Sequence, residues 1–222
     1  MPYFYKILKS EVFVILDDVQ YQKNGFQNRN LIKTPTGSSY LTIPVICTSN
    51  SLIKDVKIGN KIYISKILKT LKNNYSKAKY FRAVFDEINN LIEKNNYIKL
   101  SQLNNDLILL FLKLMNANVK IKYSSDFNLS SKKDDLILDL ILALKQNNYI
   151  TGSGGLNYIN FEKFNKNKIE LYEYNFNYIN YQQLWKKLGF IKNLSIVDLL
   201  FNELEQAKDY ILTNGSLNII KI

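Results

Sequence analysis

The stretch from Val12 to Tyr21, VFVILDDVQY, passes from an apolar run directly into two carboxylates, and the amide-rich segment QNRN follows at Gln27 to Asn30. The apolar part has the composition of a buried strand. Buried charges and amides are costly unless they are paired or hydrogen-bonded. We therefore interpret this stretch as a buried strand that carries a polar constellation to the rim of a functional site.

Helices and strands alternate along the rest of the chain. Tyr3 to Lys9 predicts the end of a helix that leads into the first strand, at Val12 to Leu16. Apolar residues at helical spacing predict further helices, and β-branched or alternating segments predict further strands. The helices are expected at 64–71, 84–92, 103–114, 136–144 and 196–212, and the strands at 40–46, 56–58, 119–123, 149–150 and 169–174.

Turn and capping residues mark several boundaries. The segment TPTG, Thr34 to Gly37, predicts a turn, and Pro44 restricts the strand that contains it to a sheet edge or a strand end. Ser195 and Asp198 have the spacing of an N-cap residue and the third residue of a helix. Asn214-Gly215 predicts the end of that helix.

The order of elements predicts the fold class. In the second half of the chain strands and helices alternate, which is typical of βαβ units. We expect an α/β fold with a mostly parallel sheet and helices on both faces. A single domain is expected over residues 1–222, with residues 196–213 as its C-terminal helix.

Two polar segments follow predicted strands, one after Leu16 and one after Ile150. In open α/β sheets ligands bind beyond the carboxyl ends of the strands, so we expect both segments in one cleft. The second segment, TGSGG, offers a backbone free to adopt positive φ and exposed amides that suit an anion, although a plain turn is the alternative. The candidate binding residues are Gln20, Gln27, Asn28, Arg29, Asn30, Gly152, Ser153, Gly154 and Gly155.

Asp17 and Asp18 are the candidate catalytic residues. They are suited to a ribose hydroxyl, a substrate amine or Mg²⁺, and the alternative is that they cap the next loop through Asx turns. Arg29 is suited to a phosphate or carboxylate, because its guanidinium donates two parallel hydrogen bonds. The alternative for Arg29 is a salt bridge to Asp17 or Asp18.

A further basic candidate lies at a helix start. Ser131 and Asp134 have the capping spacing, and Lys132 between them is placed to reach a phosphate near the helix N-terminus. A solvated, capped helix start is the alternative. Cys47 has no histidine to activate it, because the chain contains none, so a cysteine–histidine nucleophile is excluded.

Composition excludes other classes of protein. A single cysteine excludes an intramolecular disulfide and a cysteine-based metal cluster. The net charge of +11 invites a nucleic-acid interpretation, but only two of the 30 basic residues are arginine and the lysines are spread along the chain. We expect no nucleic-acid partner. No apolar run reaches the roughly 18 residues of a membrane span, and no signal sequence is visible, so we expect a cytoplasmic protein.

These motifs, in this order, resemble the WbqC-like family of bacterial polysaccharide and O-antigen biosynthesis clusters. The resemblance covers almost the whole chain. The blocks that carry it are YFYKI at 3–7, SEVFV at 10–14, LDDVQY at 16–21, QNRN at 27–30, LTIPV at 41–45, NY at 74–75, YF at 80–81, SGG at 153–155 and NLSIVDLLFN at 193–202.

The resemblance implies a transferase of surface-polysaccharide biosynthesis that acylates or aminoacylates a nucleotide-activated amino sugar. It implies a sugar substrate, with ATP or a nucleotide sugar as the co-substrate. A weaker likeness to Rossmann-like, nucleotidyltransferase-like folds suggests adenylation of a carboxylate before transfer. The alternatives are a non-catalytic assembly component of the polysaccharide machinery and a nucleic-acid-binding protein. The sugar, the donor and the oligomeric state are not defined by the sequence.

The chain departs from the family pattern at its start. Family members usually open with a strand and a His-Gln-Pro motif ahead of the segment that corresponds to Tyr3-Phe4. This sequence lacks that strand and its histidine. The expectation is that the true start lies upstream or that the first strand is absent and the site is incomplete.

Overall fold

The computed structural model describes residues 1–60 and 62–220, and the fold is mixed α/β, as predicted. The helices are α1 Pro2–Lys9, α2 Ile62–Tyr75, α3 Phe81–Lys94, α4 Leu100–Leu114, α5 Lys133–Ala143, α6 Ser153–Leu156, α7 Phe161–Lys166, α8 Ile196–Glu203 and α9 Ala207–Thr213. The strands are β1 Val12–Ile15, β2 Arg29–Thr34, β3 Gly37–Thr42, β4 Val45–Ile46, β5 Lys57–Ile58, β6 Lys120–Tyr123, β7 Asn148–Thr151, β8 Glu170–Phe176 and β9 Gly215–Ile219.

The strands form small sheets. β1 pairs in parallel with β6, with Val12 opposite Lys120, and β7 pairs in parallel with β8, with Asn148 opposite Glu170. β9 adds to β8 in antiparallel orientation, and β2–β3 and β4–β5 are antiparallel pairs. Parallel pairing is therefore present, but the single, mostly parallel sheet predicted from the sequence is not observed in the described part of the chain.

The described residues form two compact units, each built from separate stretches of the chain. The first unit comprises Met1, residues 17–118 apart from 61, and residues 178–210; the second comprises residues 2–16, 119–177 and 211–220. The single domain expected over residues 1–222 stays a prediction.

The first unit contains the hairpin β2–β3, the β4–β5 pair and helices α2, α3, α4 and α8. One apolar cluster of this unit joins the loop after residue 17 to α2 and α4. The buried members are Tyr21, Val56, Ile58, Ile64, Tyr97, Leu100 and Leu103. The ring centroids of Tyr75 and Phe201 lie 5.0 Å apart, so aromatic packing fixes α2 against α8.

The second unit contains the β1–β6 pair, the β7–β8–β9 sheet and helices α1, α5, α6 and α7. α1 packs on β8, because the ring of Tyr5 lies 6.2 Å from that of Tyr174 and 6.1 Å from that of Phe176. A second apolar cluster joins α5 and α7 to β8. Its buried members are Leu138, Ile141, Phe164, Ile169 and Leu171. Pro2 begins α1, where its missing N–H costs the helix nothing.

Several predicted elements are confirmed with changed boundaries. The TPTG turn joins β2 to β3, and Gly37 has a φ of 126°, which favours glycine. The strand expected at 40–46 is divided at Pro44, which has no N–H for a ladder but accepts from the N–H of Gly59 at 2.7 Å.

The C-terminal helix expected at 196–213 is also divided. It consists of α8 and α9 with a 3₁₀ turn at Leu204–Gln206 between them. Glu203 leaves helical geometry with φ −140° and ψ 43°, and no glycine or proline in the sequence marks that point. Asn214-Gly215 ends α9 as predicted, but the strand β9 that follows was not predicted. In the described part of the chain, no helix combines the length and apolar character needed to cross a membrane.

Candidate functional site

Asp17 and Asp18 lie in the loop after β1, which ends at Ile15. Asp17 is 8% exposed, and its carbonyl accepts from the N–H of Lys54 at 2.7 Å. Within residues 1–60 and 62–220, no group of three or more Cys, Asp or Glu side chains is placed to hold a metal ion. The pair therefore sits in a loop held by backbone hydrogen bonds, and its catalytic role stays a prediction.

Gln20 and Gln27 brace the same region of chain. The side-chain amide of Gln20 donates to the carbonyl of Ser49 at 2.7 Å. The side-chain oxygen of Gln27 accepts from the N–H of Gln22 at 3.2 Å, and its carbonyl accepts from the amide of Asn104 at 2.8 Å. Both glutamines hold the segment in shape.

Arg29 and Asn30 begin the strand β2, whereas the sequence placed them in a loop. They belong to the strand because Arg29 lies opposite Thr42 in the β2–β3 hairpin. Asn30 is exposed, and its side-chain oxygen accepts from the N–H of Leu31 at 2.9 Å.

The guanidinium of Arg29 is only partly satisfied. Its Nη2 donates to the carbonyl of Asn24 at 2.5 Å, and the group lies 4.6 Å from the ring centroid of Tyr40. Its Nε is buried and has no hydrogen-bond partner among the described residues. Arg29 forms no ion pair within that part of the chain, so the alternative interpretation, a salt bridge to Asp17 or Asp18, is not observed.

Asn28 has a buried hydrogen-bond acceptor that is also unsatisfied. Its amide donates to the carbonyl of Ile43 at 2.9 Å, which leaves Oδ1 buried without a partner among the described residues. Buried polar atoms are nearly always hydrogen-bonded, and an unpaired one costs about 1–3 kcal/mol. The unpaired donor of Arg29 and the unpaired acceptor of Asn28 therefore each mark a position where a ligand or water completes the hydrogen bonding.

The same cluster includes a buried phenol and the single cysteine. Burial raises the pKa of Tyr21, the nearby Cys47 thiol raises that pKa further, and the Arg29 guanidinium lowers it. These three side chains are therefore close enough to interact electrostatically. Cys47 is partly buried against the apolar cluster that contains Tyr21.

The Gly152–Gly155 segment follows β7 as predicted but forms the short helix α6. None of its glycines has positive φ, and Gly152 has a φ of −93°, so the backbone does not use the positive-φ conformations that these glycines allow. The glycines serve close approach: a Cβ on Gly155 would lie 2.1 Å from Oγ1 of Thr151, and one on Gly152 would lie 3.1 Å from the ring of Tyr174. Ser153 and Gly154 are exposed.

Lys132 is exposed and is itself the N-cap residue of α5, one position later than predicted. Ser131 does not cap the helix, and its Oγ is buried without a partner among the described residues. The carboxylates of Asp134 and Asp135 face Lys163, whose Nζ lies 3.6 and 2.6 Å from them. The sequence-predicted residues thus fall in both units: Asp17 to Asn30 in the first, and Lys132 and Gly152–Gly155 in the second. Their joint cleft stays a prediction.

A buried polar network in the first unit was missed at the sequence level. Asp198 is 0% exposed, and its carboxylate accepts from the hydroxyls of Tyr75 at 2.7 Å and Tyr181 at 2.6 Å. Burial raises the pKa of Asp198, while the two tyrosine hydroxyls, the charge of Lys33 and Gln183 lower it.

Lys33 is the cationic member of this network and is also 0% exposed. Its Nζ donates to Oε1 of Gln183 at 3.1 Å and to the carbonyl of Gly189 at 2.5 Å. Gln183 in turn donates to the Tyr181 hydroxyl at 3.1 Å. The network therefore bridges a buried cation and a buried carboxylate through uncharged groups. One signal was present in the sequence. Lys33 directly follows Ile32 on β2, so a lysine lies in the buried part of a strand.

Comparisons with known proteins match most of the chain to one protein family. A model of the WbqC-like protein family matches residues 1–210. The relative named "Uncharacterized protein Rv1507c", from Mycobacterium tuberculosis (strain ATCC 25618 / H37Rv), is 29% identical over 212 residues, which cover 94% of this chain and 91% of the relative. No solved structure matches.

Proposed function

We propose that this chain, which belongs to the WbqC-like protein family, is a transferase of bacterial surface-polysaccharide biosynthesis that acts on a nucleotide-activated amino sugar. In this proposal an acyl or aminoacyl group passes to the amine of the sugar. The amide bond forms as the activating group leaves the acyl carbon, and the amine loses a proton.

The observation that carries the proposal is the state of Arg29. Its guanidinium is stacked on Tyr40, is unpaired with any carboxylate of the described residues, and keeps a buried Nε–H without an acceptor. Arginine binds phosphates through parallel hydrogen bonds, and a ring beneath it reduces the freedom lost on binding. We assign Arg29 to the anionic diphosphate of the nucleotide sugar.

The neighbouring residues receive roles consistent with that placement. Asn28 Oδ1 accepts from a hydroxyl or amine of the substrate, because it is otherwise unpaired. Asn28 or Asn30 amides stabilise the oxyanion of the acyl-transfer step. Asp17 and Asp18 orient the acceptor.

The proposal extends to the fold and to the donor. The parallel pairing of β1 with β6 and of β7 with β8 agrees with the weaker likeness to Rossmann-like, nucleotidyltransferase-like folds, which is an analogy at fold level. In such a site ATP activates a carboxylate as its adenylate with release of pyrophosphate, and attack by the sugar amine releases AMP.

Thermal shift provides the first test. UDP- and dTDP-amino sugars, and ATP, are added at millimolar concentration, and a ligand at about ten times its Kd is expected to raise the melting temperature by about 3 °C. Mass spectrometry of the sugar, incubated with ATP and carboxylic or amino acids, then tests transfer. The absence of a shift with every nucleotide sugar would overturn the proposal.

A non-catalytic role in assembly predicts a different result. In that case Asp18→Asn and Arg29→Ala leave the surface glycan unchanged in cells, while association with other proteins of the polysaccharide machinery is lost. Glycan profiles from strains carrying these variants therefore separate the two roles.

A further inference from the structure

A cavity of about 480 Å³ lies in the first unit, and its lining shares no residue with the set assigned above. It is lined by Asn180, Tyr181, Gln182, Glu203, Gln206 and Tyr210. None of the described residues that line it is lysine or arginine, although the chain carries 30 basic residues. A phosphate site recruits cations, so this lining favours a neutral or positively charged ligand.

The two aromatic rings that line the cavity are held in place by hydrogen bonds to residues outside the lining. The hydroxyl of Tyr181 donates to the buried carboxylate of Asp198 at 2.6 Å, and the hydroxyl of Tyr210 donates to the carbonyl of Ile179. The two rings pack edge to face with centroids 5.1 Å apart. Because both hydroxyls are used within the protein, the rings present carbon surface to the cavity as fixed platforms.

The polar groups of the lining make few contacts within the protein. Among the described residues, the side chains of Asn180, Gln182 and Gln206 have no hydrogen-bond partner, and Glu203 forms no ion pair, although its charge and that of Lys79 attract each other. Amides both donate and accept, which suits the hydroxyl groups of a polyol. Glu203 is half-buried, so its carboxylate is the one charge of the lining and it is negative.

We propose that this cavity binds the pyranose ring of an amino sugar with a free, positively charged amino group. The Tyr181 and Tyr210 rings contact the apolar C–H face of the sugar, the amides bind its hydroxyls, and Glu203 pairs with the ammonium group. Binding of the free sugar rests on the cavity itself. The further step, that this is the amino sugar of the transfer reaction, rests on the proposed function.

The test is a titration of the full chain with glucosamine, N-acetylglucosamine and glucose, followed by saturation-transfer NMR and by protein chemical shifts. Glucosamine is expected to bind about fivefold more tightly than the other two, because only its ammonium pairs with a partly exposed carboxylate. Equal affinity for the three sugars, or no saturation transfer from glucosamine at tens of millimolar (roughly the weak limit of monosaccharide binding), would overturn the proposal.

Two pairs of variants localise the binding. Glu203→Gln keeps the shape of the cavity and is expected to remove the preference for glucosamine, while Glu205→Gln, two residues away and outside the lining, is expected to leave it unchanged. Tyr210→Ala is expected to abolish binding of all three sugars, and Tyr210→Phe, which keeps the ring, to retain it. The Glu203→Gln result decides the question even where Tyr210→Ala does not fold.

Free monosaccharides carry no phosphate, so these results are independent of Arg29. Glucosamine bound at Glu203 together with no binding of any nucleotide sugar would contradict the proposed transferase and support the cavity. Nucleotide sugars bound through Arg29, with glucosamine binding insensitive to Glu203→Gln and Tyr210→Ala, would overturn the cavity and leave the transferase standing.

Discussion

The Asp198 carboxylate is fully buried, and a buried carboxylate is stable only with several hydrogen-bond donors around it. The sequence predicted it as the third residue of a capped helix, and Ser195 is indeed the N-cap of α8, but its side chain makes no capping bond. The carboxylate turns inward to Tyr75, which is 123 residues away in the chain. A contact of that separation has no periodic signature, so local patterns found the helix start and missed the network.

Tyr181 makes the network sensitive to alkaline pH. Burial first, and then the Asp198 carboxylate, raise the pKa of its phenol above the ordinary value of 10.0. Above about pH 10 the unfolded chain loses this proton while the folded chain keeps it, so stability present below that pH is lost as pH rises. In Tyr181→Phe we expect the free energy of unfolding to fall less steeply as pH rises. The slope should differ from that of wild type by about 1.4 kcal/mol per pH unit.

Urea unfolding between about pH 9 and pH 11 measures this slope. Tyr158→Phe, at a 76% exposed tyrosine, is the control and should leave the slope unchanged. Parallel curves for wild type and Tyr181→Phe would contradict a phenol held protonated by the fold.

Lys33 and Asp198 should be coupled although uncharged groups separate them. Removing the cation by Lys33→Met leaves a buried carboxylate without its nearest opposite charge, and we expect a loss of about 3 kcal/mol of stability. Asp198→Asn removes that uncompensated charge. The double variant should therefore lose less stability than the two single variants lose together, by at least ~1 kcal/mol. Additive losses in denaturant unfolding would contradict the coupling. Lys132→Met, at an exposed lysine, is the control and should stay within about 0.5 kcal/mol of wild type.

Several glycines are needed because another group lies where a side chain would be, and not because of their backbone conformation. Gly215 begins β9 against the ring of Tyr5, which is 1% exposed, and an added Cβ would lie 2.1 Å from a ring carbon. The sequence predicted Gly215 only as a helix stop, because the partner that it contacts lies at the other end of the chain.

Gly215→Ala should therefore be strongly destabilising. A buried aromatic ring cannot yield to an extra methyl group without displacing α1 or β9, and overpacking of this kind costs about 1–3 kcal/mol. Gly154→Ala is the matched control, since an added Cβ there meets nothing within 4 Å. Thermal unfolding compares them, and an unchanged melting temperature for Gly215→Ala would contradict the packing of α1 on the sheet.

Periodic elements were predicted well, and their connections were not. Helices α2, α3, α4 and α5 have clear apolar faces, and each lies where the spacing predicted it. The break between α8 and α9 depends on one backbone conformation at Glu203, and β9 depends on its pairing with β8. Such features are decided by tertiary partners, which hydrophobic periodicity does not report.

The overall charge of the molecule bears on its binding to nucleic acid. The net charge is +11, but lysine supplies nearly all of it and the chain has two arginines. We expect weak binding to duplex DNA or RNA at about 150 mM salt, with no steep dependence on salt concentration. Fluorescence anisotropy measures it, and a slope equivalent to several released counterions would favour the nucleic-acid alternative.

The division into two units also lay beyond the sequence. Each unit gathers stretches from different parts of the chain, and no glycine- or proline-rich linker separates them. The candidate residues were predicted as one cleft because both segments follow strands. The order of strands in space could not be inferred, since β1 and β7 turned out to belong to different sheets.

We propose that Arg29 binds the anionic part of a nucleotide-activated amino sugar. Isothermal titration of a UDP-amino sugar into wild type, Arg29→Gln and Arg82→Gln tests it most directly, because Arg82 is the other arginine and is exposed on α3. We expect binding to weaken at least about tenfold in Arg29→Gln, because a charge-assisted pair is lost, and to be unchanged in Arg82→Gln. Equal affinity in all three proteins, or no binding to wild type, would contradict it.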